Sequence, residues 1–196
     1  SRRRPRQARR LSAVDLVILD REGVLNECVS PFMRSPDDFK PIPGALEAVA
    51  RLNQAGVRVV VATNQAGVGR GLFDMRTVNA IHDRMHRAAI NVGGRIDAVF
   101  YCPHPEQAGC RCRKPGTGMF EQIAERYNLR ELGDVAAVGD SIRDLEGASR
   151  AGAQPVLVRT GKGRETEKAR QLPEGVRVYD DHGGFSEDWL AHRGRR

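Results

Sequence analysis

Residues 15–20 read DLVILD, four branched apolar residues with an aspartate at either end, and this stretch decides the fold. The run is too short for a buried helix and too uniformly apolar for a strand with one wet face, so it predicts a strand covered on both sides. Four more runs match it: VRVVVAT (57–63), IDAVFY (96–101), DVAAVGD (134–140) and QPVLVRT (154–160), with VRVY (176–179) as a sixth. Segments of helical period separate them. ALEAVARLNQAG (45–56) carries a stripe at Leu46, Val49, Ala50 and Leu52 with Gly56 as its C-cap. The longer segment 75–94 has Asp74 as N-cap and a glycine pair as its stop; 119–129 and 143–152 supply two more helices. Strands alternating with helices of this length predict an α/β, Rossmann-like, doubly wound parallel sheet flanked by helices.

Length and charge narrow the class. The chain has 196 residues, enough for one domain with a substantial core. Its net charge of +7 suggests a polyanion partner until the charge is located. Residues 1–10 hold six arginines and the last four residues hold three, and setting these nine aside leaves 23 basic residues against 25 acidic ones. The expected organisation is therefore a disordered basic tail at 1–12, a single domain over 13–182, and a C-terminal tail at 183–196. A body close to neutral argues against nucleic acid as partner. No run reaches the roughly 18 apolar residues of a membrane span, and no small-residue cleavage site follows the arginines. A cytoplasmic monomer acting on a small molecule is expected.

In such sheets ligands gather at the carboxyl ends of the strands. The first strand ends in Asp20, the second in Thr63-Asn64-Gln65, and the fourth in Gly139-Asp140-Ser141, with Asp144 one helical turn on. Polar residues at three strand ends of one sheet are hard to explain as packing. Several carboxylates at one point repel unless a cation sits among them, and hard oxygen donors select Mg²⁺. That ion would also neutralise a phosphate enough for a carboxylate to attack phosphorus, the route through an aspartyl-phosphate. Thr63 and Asn64 offer a hydroxyl and an amide to the phosphoryl oxygens, and Lys114 in the loop RKPG offers positive charge to the transition state.

Cys102, His104, Cys110 and Cys112 form a C-x-H-x5-C-x-C loop directly after the third strand. Four soft or borderline ligands in eleven residues suit a tetrahedral, structural Zn²⁺. The loop leads straight into Arg113 and Lys114, so zinc would stiffen the segment carrying those two cations. His82 and His86, one turn apart on the long helix, lack a glutamate on that face and read as surface or packing residues. Gly67, Gly69 and Gly71 read as turn formers with amides near the substrate.

Four segments together resemble the motifs of the haloacid dehalogenase superfamily of phosphatases: LDREGVLN (19–26), VVVATNQAGVGRG (59–71), CRCRKPGTGM (110–119) and AVGDSIRDLEGASRAGA (137–153). More narrowly they resemble the D-glycero-D-manno-heptose-1,7-bisphosphate 7-phosphatase family and the related histidinol-phosphate phosphatases. The resemblance implies that Asp20 is the nucleophile and Glu22 the general acid–base. Mg²⁺ would be held by Asp20, Asp140 and the backbone carbonyl of Glu22. Thr63 and Lys114 would stabilise the phosphoryl group, Asn64, Gln65 and Arg113 would bind substrate, and Asp144 would orient Lys114 or a metal-bound water. The implied reaction is hydrolysis of the C7 phosphate of heptose 1,7-bisphosphate, for nucleotide-activated heptose and cell-envelope polysaccharide.

The chain departs from the family pattern in two places, at Glu22 and in ECVSPFMRSP (27–36). Glu22 stands where an aspartate is expected, and its extra methylene moves the carboxyl group by roughly 1.5 Å. Displacements of about 1 Å can cost about 10²-fold in rate, so a re-tuned, a weakened and a catalytically silent site all remain open. Cys28 and Ser30 stand where acidic residues are expected. The alternatives are a histidinol-phosphate phosphatase and a non-catalytic sugar-phosphate-binding relative.

Overall fold

A computed structural model of the chain describes residues 14–168 and 171–193. The expected basic tail at 1–12 lies outside them. The strands are β1 (Leu16–Leu19), β2 (Arg58–Asn64), β3 (Ala98–Cys102), β4 (Ala136–Gly139), β5 (Gln154–Val158) and β6 (Arg177–Tyr179). They form one sheet among the described residues, in the order β3-β2-β1-β4-β5-β6 with every pairing parallel. The chain walks outward from β1 to β3, then returns to lay β4 on the other side of β1. The gap between β1 and β4 is thus the topological switch point, where a crevice opens at the strands' carboxyl ends.

Alternation along the strands sorts the core into two layers. Leu16 and Ile18 of β1, Val60 and Ala62 of β2 and Ala137 of β4 face Met119, Phe120 and Ile123 of α4 (Gly118–Arg126) and Ala148 of α5 (Ile142–Arg150). Val17, Leu19, Val59, Val61 and Val138 face the opposite layer. There they meet Leu46, Val49 and Leu52 of α1 (Ala45–Gln54) and Ile81 and Met85 of α3 (Met75–Asn91). Both faces of β1 are buried, as its uniformly apolar sequence requires. Asp74 caps α3 by accepting from the Thr77 amide at 2.9 Å, and Gly56 follows α1 with φ near 80°, the left-handed stop that glycine allows.

Three elements differ from expectation. Most of α7 (His182–His192) falls in the stretch 183–196 expected as a C-terminal tail, and its Phe185 and Trp189 are buried beside α1. Gly183 and Gly184 dilute its helical signal, but Asp181 caps it and one aromatic pair at i, i+4 supplies the apolar face. A short α6 (Gly163–Lys168) follows β5, and the stretch read as a glycine turn contains α2 (Ala66–Gly69). Gly71 is left-handed, as a turn requires, whereas Gly67 lies against the Phe73 ring, where a side chain would not fit. Between β1 and α1 only a 3₁₀ turn (Pro36–Asp38) interrupts the connection, so no cap domain rises there. Among the described residues no helix is long and apolar enough to cross a membrane.

Candidate active site

The carboxyl ends of β1, β2 and β4 and the loop before α4 converge on a cavity of about 240 Å³. Asp20, Glu22, Thr63, Asn64, Lys114, Asp140 and Asp144 all line it. Lys114 is 3% exposed and sits at the centre of the charge network. Its Nζ lies 3.1 Å from Asp20 Oδ1, and it donates to Asp144 Oδ1 at 2.5 Å and to the Ala62 carbonyl at 2.8 Å. Burial alone would lower its pKa, but the charges of Asp144 and Asp20 outweigh that and hold the ammonium firmly protonated. Asp144 is used up by its neighbours: besides Lys114 it accepts from the amide and hydroxyl of Ser141, closing the capping box of α5. Lys114, despite opposing burial, keeps it below the usual carboxylate range. Of the two roles implied for Asp144, the orientation of Lys114 is the one this geometry displays.

Asp20 and Asp140 behave differently. Burial, then the negative charge of Asp144, pushes Asp20 up to about 7 and Asp140 up to about 6, only partly offset by Lys114 at Asp20 and by the Lys162 amide and then Lys114 at Asp140. One ammonium is too little positive charge for three converging carboxylates. Oxygen atoms of Asp20, Asp140 and Asp144 lie within 4.8 Å of one another, a hard-donor set that fits Mg²⁺. Asp140 is held in place by backbone: its Oδ2 accepts from the Lys162 amide at 2.8 Å, and its carbonyl accepts from Thr166 at 2.7 Å. Gly23 and Gly161, both left-handed, clasp its carboxylate so closely that a Cβ on either would collide with it. Neither Gly161 nor Lys162 was singled out from sequence, although GKG (161–163) directly follows β5 and the strand-end rule points there.

Thr63 is buried and accepts from Gln65 Nε2 at 2.9 Å, which leaves its hydroxyl proton for a phosphoryl oxygen. Gln65 itself is buried and is not among the residues lining the cavity; its amide is engaged on Thr63, which it orients. Asn64, on the cavity lining, clamps the Lys114 peptide: its Oδ1 accepts from the Lys114 amide at 3.0 Å and its Nδ2 donates to the carbonyl at 3.2 Å. Arg113 lies in an adjoining cavity that shares Lys114 and Arg143 with the first. One of its nitrogens pairs with Glu106 at 3.0 Å and the other is buried without a partner, a donor facing a site that an anion would complete.

Glu22 rims the cavity, one-third exposed, with Oε1 accepting from Arg21 Nη2 at 3.0 Å. Arg21 is fully buried, and its other terminal nitrogen lies 3.0 Å from Nε2 of His82, which is buried rather than surface-exposed. Cys28 also lines the cavity, its Sγ 3.8 Å from Asp140 Oδ2; burial and then the charges of Asp140 and Glu22 push its thiol up to about 12.

The four zinc-type ligands gather as expected. Cys102 Sγ lies 3.1 Å from Cys112 Sγ, 3.6 Å from Cys110 Sγ and 3.5 Å from His104 Nδ1, and His104 Nδ1 is 3.2 Å from Cys112 Sγ. Tetrahedral bonds of about 2.3 Å to sulfur and about 2.1 Å to nitrogen put ligands roughly 3.5–3.8 Å apart. The cluster therefore fits one Zn²⁺ with a small outward adjustment. The Gly118 amide, bonded to the Arg111 carbonyl, ties this loop to the start of α4.

Comparison with known proteins agrees with this geometry. The HAD-hydrolase-like family model matches residues 111–182, and the polynucleotide kinase 3 phosphatase model matches residues 17–146. The chain is 53% identical to D-glycero-β-D-manno-heptose-1,7-bisphosphate 7-phosphatase of Bordetella bronchiseptica, over 89% of this chain and 97% of that one. It is 46% identical to the enzyme of the same name from Pseudomonas aeruginosa, over 85% and 92% of the two chains. The crystal structure of D,D-heptose 1,7-bisphosphate phosphatase from B. bronchiseptica, complexed with magnesium and phosphate, superposes with a TM-score of 0.89 at 52% identity, over 91% of this chain and 99% of that one. The Burkholderia thailandensis structure gives 0.73 at 51% identity, over 90% and 99%. With most of its length shared at this level, the chain belongs to the haloacid-dehalogenase-like phosphatases, in the D-glycero-D-manno-heptose-1,7-bisphosphate 7-phosphatase family.

Proposed function

We propose that this protein is a Mg²⁺-dependent phosphatase that removes the C7 phosphate of D-glycero-β-D-manno-heptose 1,7-bisphosphate through an aspartyl-phosphate. The observation that carries the reading is the meeting of Asp20, Asp140 and Lys114 at the switch point of the sheet, beside a second cavity that offers Arg113. Mg²⁺ held by Asp20, Asp140 and the Glu22 carbonyl would neutralise the phosphate and lower the repulsion met by an attacking carboxylate.

Asp20 attacks phosphorus, and the bond to the C7 oxygen breaks. Lys114 and Thr63 hold the equatorial oxygens as charge builds on them. Glu22 delivers the proton that the departing alkoxide needs. Water then gives a proton back to Glu22 and attacks phosphorus, which releases inorganic phosphate and restores the Asp20 carboxylate. Arg113 and Arg143 supply charge for the phosphate that stays on the sugar. Cys102, His104, Cys110 and Cys112 would hold a Zn²⁺ that stiffens the loop and keeps Arg113 and Lys114 in register with the site. The setting inferred is a cytoplasmic monomer in nucleotide-activated heptose synthesis.

A histidinol phosphate substrate would need an acidic partner for its ammonium, and Glu27, the nearest candidate, is exposed and off the cavity lining. The match to a polynucleotide phosphatase model favours a 3′-phosphorylated nucleic acid, against which stands the near-neutral body. The test is Mg²⁺-dependent phosphate release from both anomers of heptose 1,7-bisphosphate, histidinol phosphate and a 3′-phosphorylated oligonucleotide. Preference for the β anomer is expected. Preference for either of the last two substrates, or silence on all four, would overturn the assignment.

A further inference from the structure

Arg21 is a full guanidinium with no exposed surface, and removing such a charge from water is among the larger penalties a fold accepts. Two side chains receive it. Glu22 supplies the countercharge through Oε1 at 3.0 Å, and His82 Nε2 lies 3.0 Å from the opposite terminal nitrogen. Arginine has only donors, so Nε2 must be the acceptor and the imidazole proton must sit on Nδ1. Burial first, and then the charge of Arg21, holds His82 down to about 3, which keeps it a neutral acceptor. His82 is fixed in turn by α3, whose Val78, Ile81 and Met85 are wholly buried. A continuous chain of contacts therefore runs from the hydrophobic core through His82 and Arg21 to the carboxyl group at the cavity rim.

We propose that Arg21 and His82 are positioning residues for Glu22: the imidazole holds the guanidinium, and the guanidinium aims the longer glutamate arm at the leaving-group oxygen. The inference rests on the reading of Glu22 as proton donor. The extra methylene of Glu22 adds a torsion, and the bond to Arg21 removes that freedom. Because Arg21 engages Oε1, the other carboxyl oxygen is left to carry the proton, and among the described residues it has no hydrogen-bond partner. The same contact serves when that oxygen gives its proton to the alkoxide and when it takes one from water, so the aim holds through both halves of the reaction.

The experiment compares two leaving groups. An alkyl phosphate such as the heptose bisphosphate needs a proton on its departing oxygen, whereas p-nitrophenolate leaves unprotonated. His82→Leu keeps the volume and removes the acceptor. It is expected to lower the first-turnover rate on the sugar phosphate about 10- to 100-fold, with KM little changed, and to leave first-turnover release of p-nitrophenolate within about threefold of wild type. The second half, which needs Glu22 as base, slows for both esters alike. Should that variant not fold, His82→Gln and His82→Asn carry the same test. The glutamine oxygen reaches as far as Nε2 and restores most of the rate; the asparagine oxygen reaches only as far as Nδ1 and does not. Equal first-turnover losses on both substrates would mean a merely structural role and overturn the proposal, as would full sugar-phosphate activity in the leucine or asparagine variant. A wild-type protein that hydrolyses p-nitrophenyl phosphate but no sugar phosphate would fail the substrate assignment alone, and glycerol phosphate then serves as the alkyl ester. Wild-type silence on every ester would overturn the phosphatase reading and this inference with it.

Discussion

Gly161 offers a sharp test of how the metal-binding carboxylate is held. A Cβ built there lies 2.5 Å from the Gly23 Cα, and closer still to Asp140 Oδ2, where ordinary contact begins at 3.4 Å. Gly161→Ala must therefore push the nucleophile loop by about 0.9 Å, the difference between those two distances, and the Asp140 carboxylate by more. Neither can yield freely, because the Asp140 Oδ2 is bonded to the Lys162 amide and the Gly23 carbonyl accepts from Thr160 Oγ1 at 2.5 Å. The substitution also strains the backbone, since Gly161 has φ +56°, and that part costs about 1–2 kcal/mol.

Gly175→Ala separates the two effects. Gly175 has φ +78° but no atom within 4 Å of its added Cβ, so it carries the backbone strain without the collision. Both variants should lower Tm, by a few degrees at about 2–4 °C per kcal/mol for a chain of this size. Only Gly161→Ala should raise the Mg²⁺ concentration for half-maximal phosphate release, by about 10- to 100-fold, as displaced supports of metal ligands do. The assay is phosphate release across a Mg²⁺ titration, paired with thermal unfolding. An unchanged Mg²⁺ requirement in Gly161→Ala, or an equal rise in Gly175→Ala, would refute the clasp.

Other expectations follow from the same geometry. Lys114→Met removes what is, among the described residues, the only side-chain cation bonded to Asp20 and Asp144, so kcat should fall about 10²- to 10³-fold and stability by about 3–5 kcal/mol; turnover within tenfold of wild type would contradict its central place. Stripping zinc with a chelator, with metal analysis confirming its loss from a one-per-chain start, should raise KM at least tenfold or abolish activity, because Arg113 and Lys114 continue the ligand loop; unchanged kinetics in zinc-free protein would sink that link. His182 is buried with both ring nitrogens unpartnered, and burial, then the Arg51 charge, lowers it from 6.5 to about 3. Its folded pKa lies below the unfolded one, so its contribution is intact above pH 6.5 and is lost as pH falls toward 3. By pH 5 that loss reaches ~2 kcal/mol. His182→Leu should therefore flatten the acid limb of stability in denaturant titrations, and an unaltered slope would count against it.

The strands were legible because each is a short apolar run with nowhere to go but a doubly covered sheet. The site followed from asking what stands at their carboxyl ends. Asp20, Asp140, Thr63 and Lys114 converge on one cavity, and the cysteine–histidine spacing closes into a tetrahedral cluster. What escaped the reading shares one character, namely residues whose work depends on distant partners. Gln65 looks like a substrate ligand in sequence but turns back onto Thr63. His82 has nothing in its local pattern to announce a partner 61 positions away. Gly161 is an ordinary loop glycine until the chain folds it against Gly23 and Asp140. The helix α7 was hidden by two adjacent glycines, and only packing of Phe185 and Trp189 on the far layer explains it.

The charged residues of the site are also among its most deeply buried. Arg21 is 0% exposed, Lys114 3%, Asp140 4% and Asp144 6%, all at the switch point where the two core layers meet. Charges withdrawn this far from water persist only when each is paired, so the network resists piecemeal change: removing one partner leaves another buried and uncompensated. Single substitutions here will lower activity and stability together, and activity alone cannot say which was lost first. A change of substrate can. Burying a charge badly harms every step in the pocket, whereas misaiming Glu22 harms the first turnover only of esters whose leaving oxygen needs a proton. The contrast between alkyl and nitrophenyl esters therefore separates the chemistry of this network from its contribution to the fold.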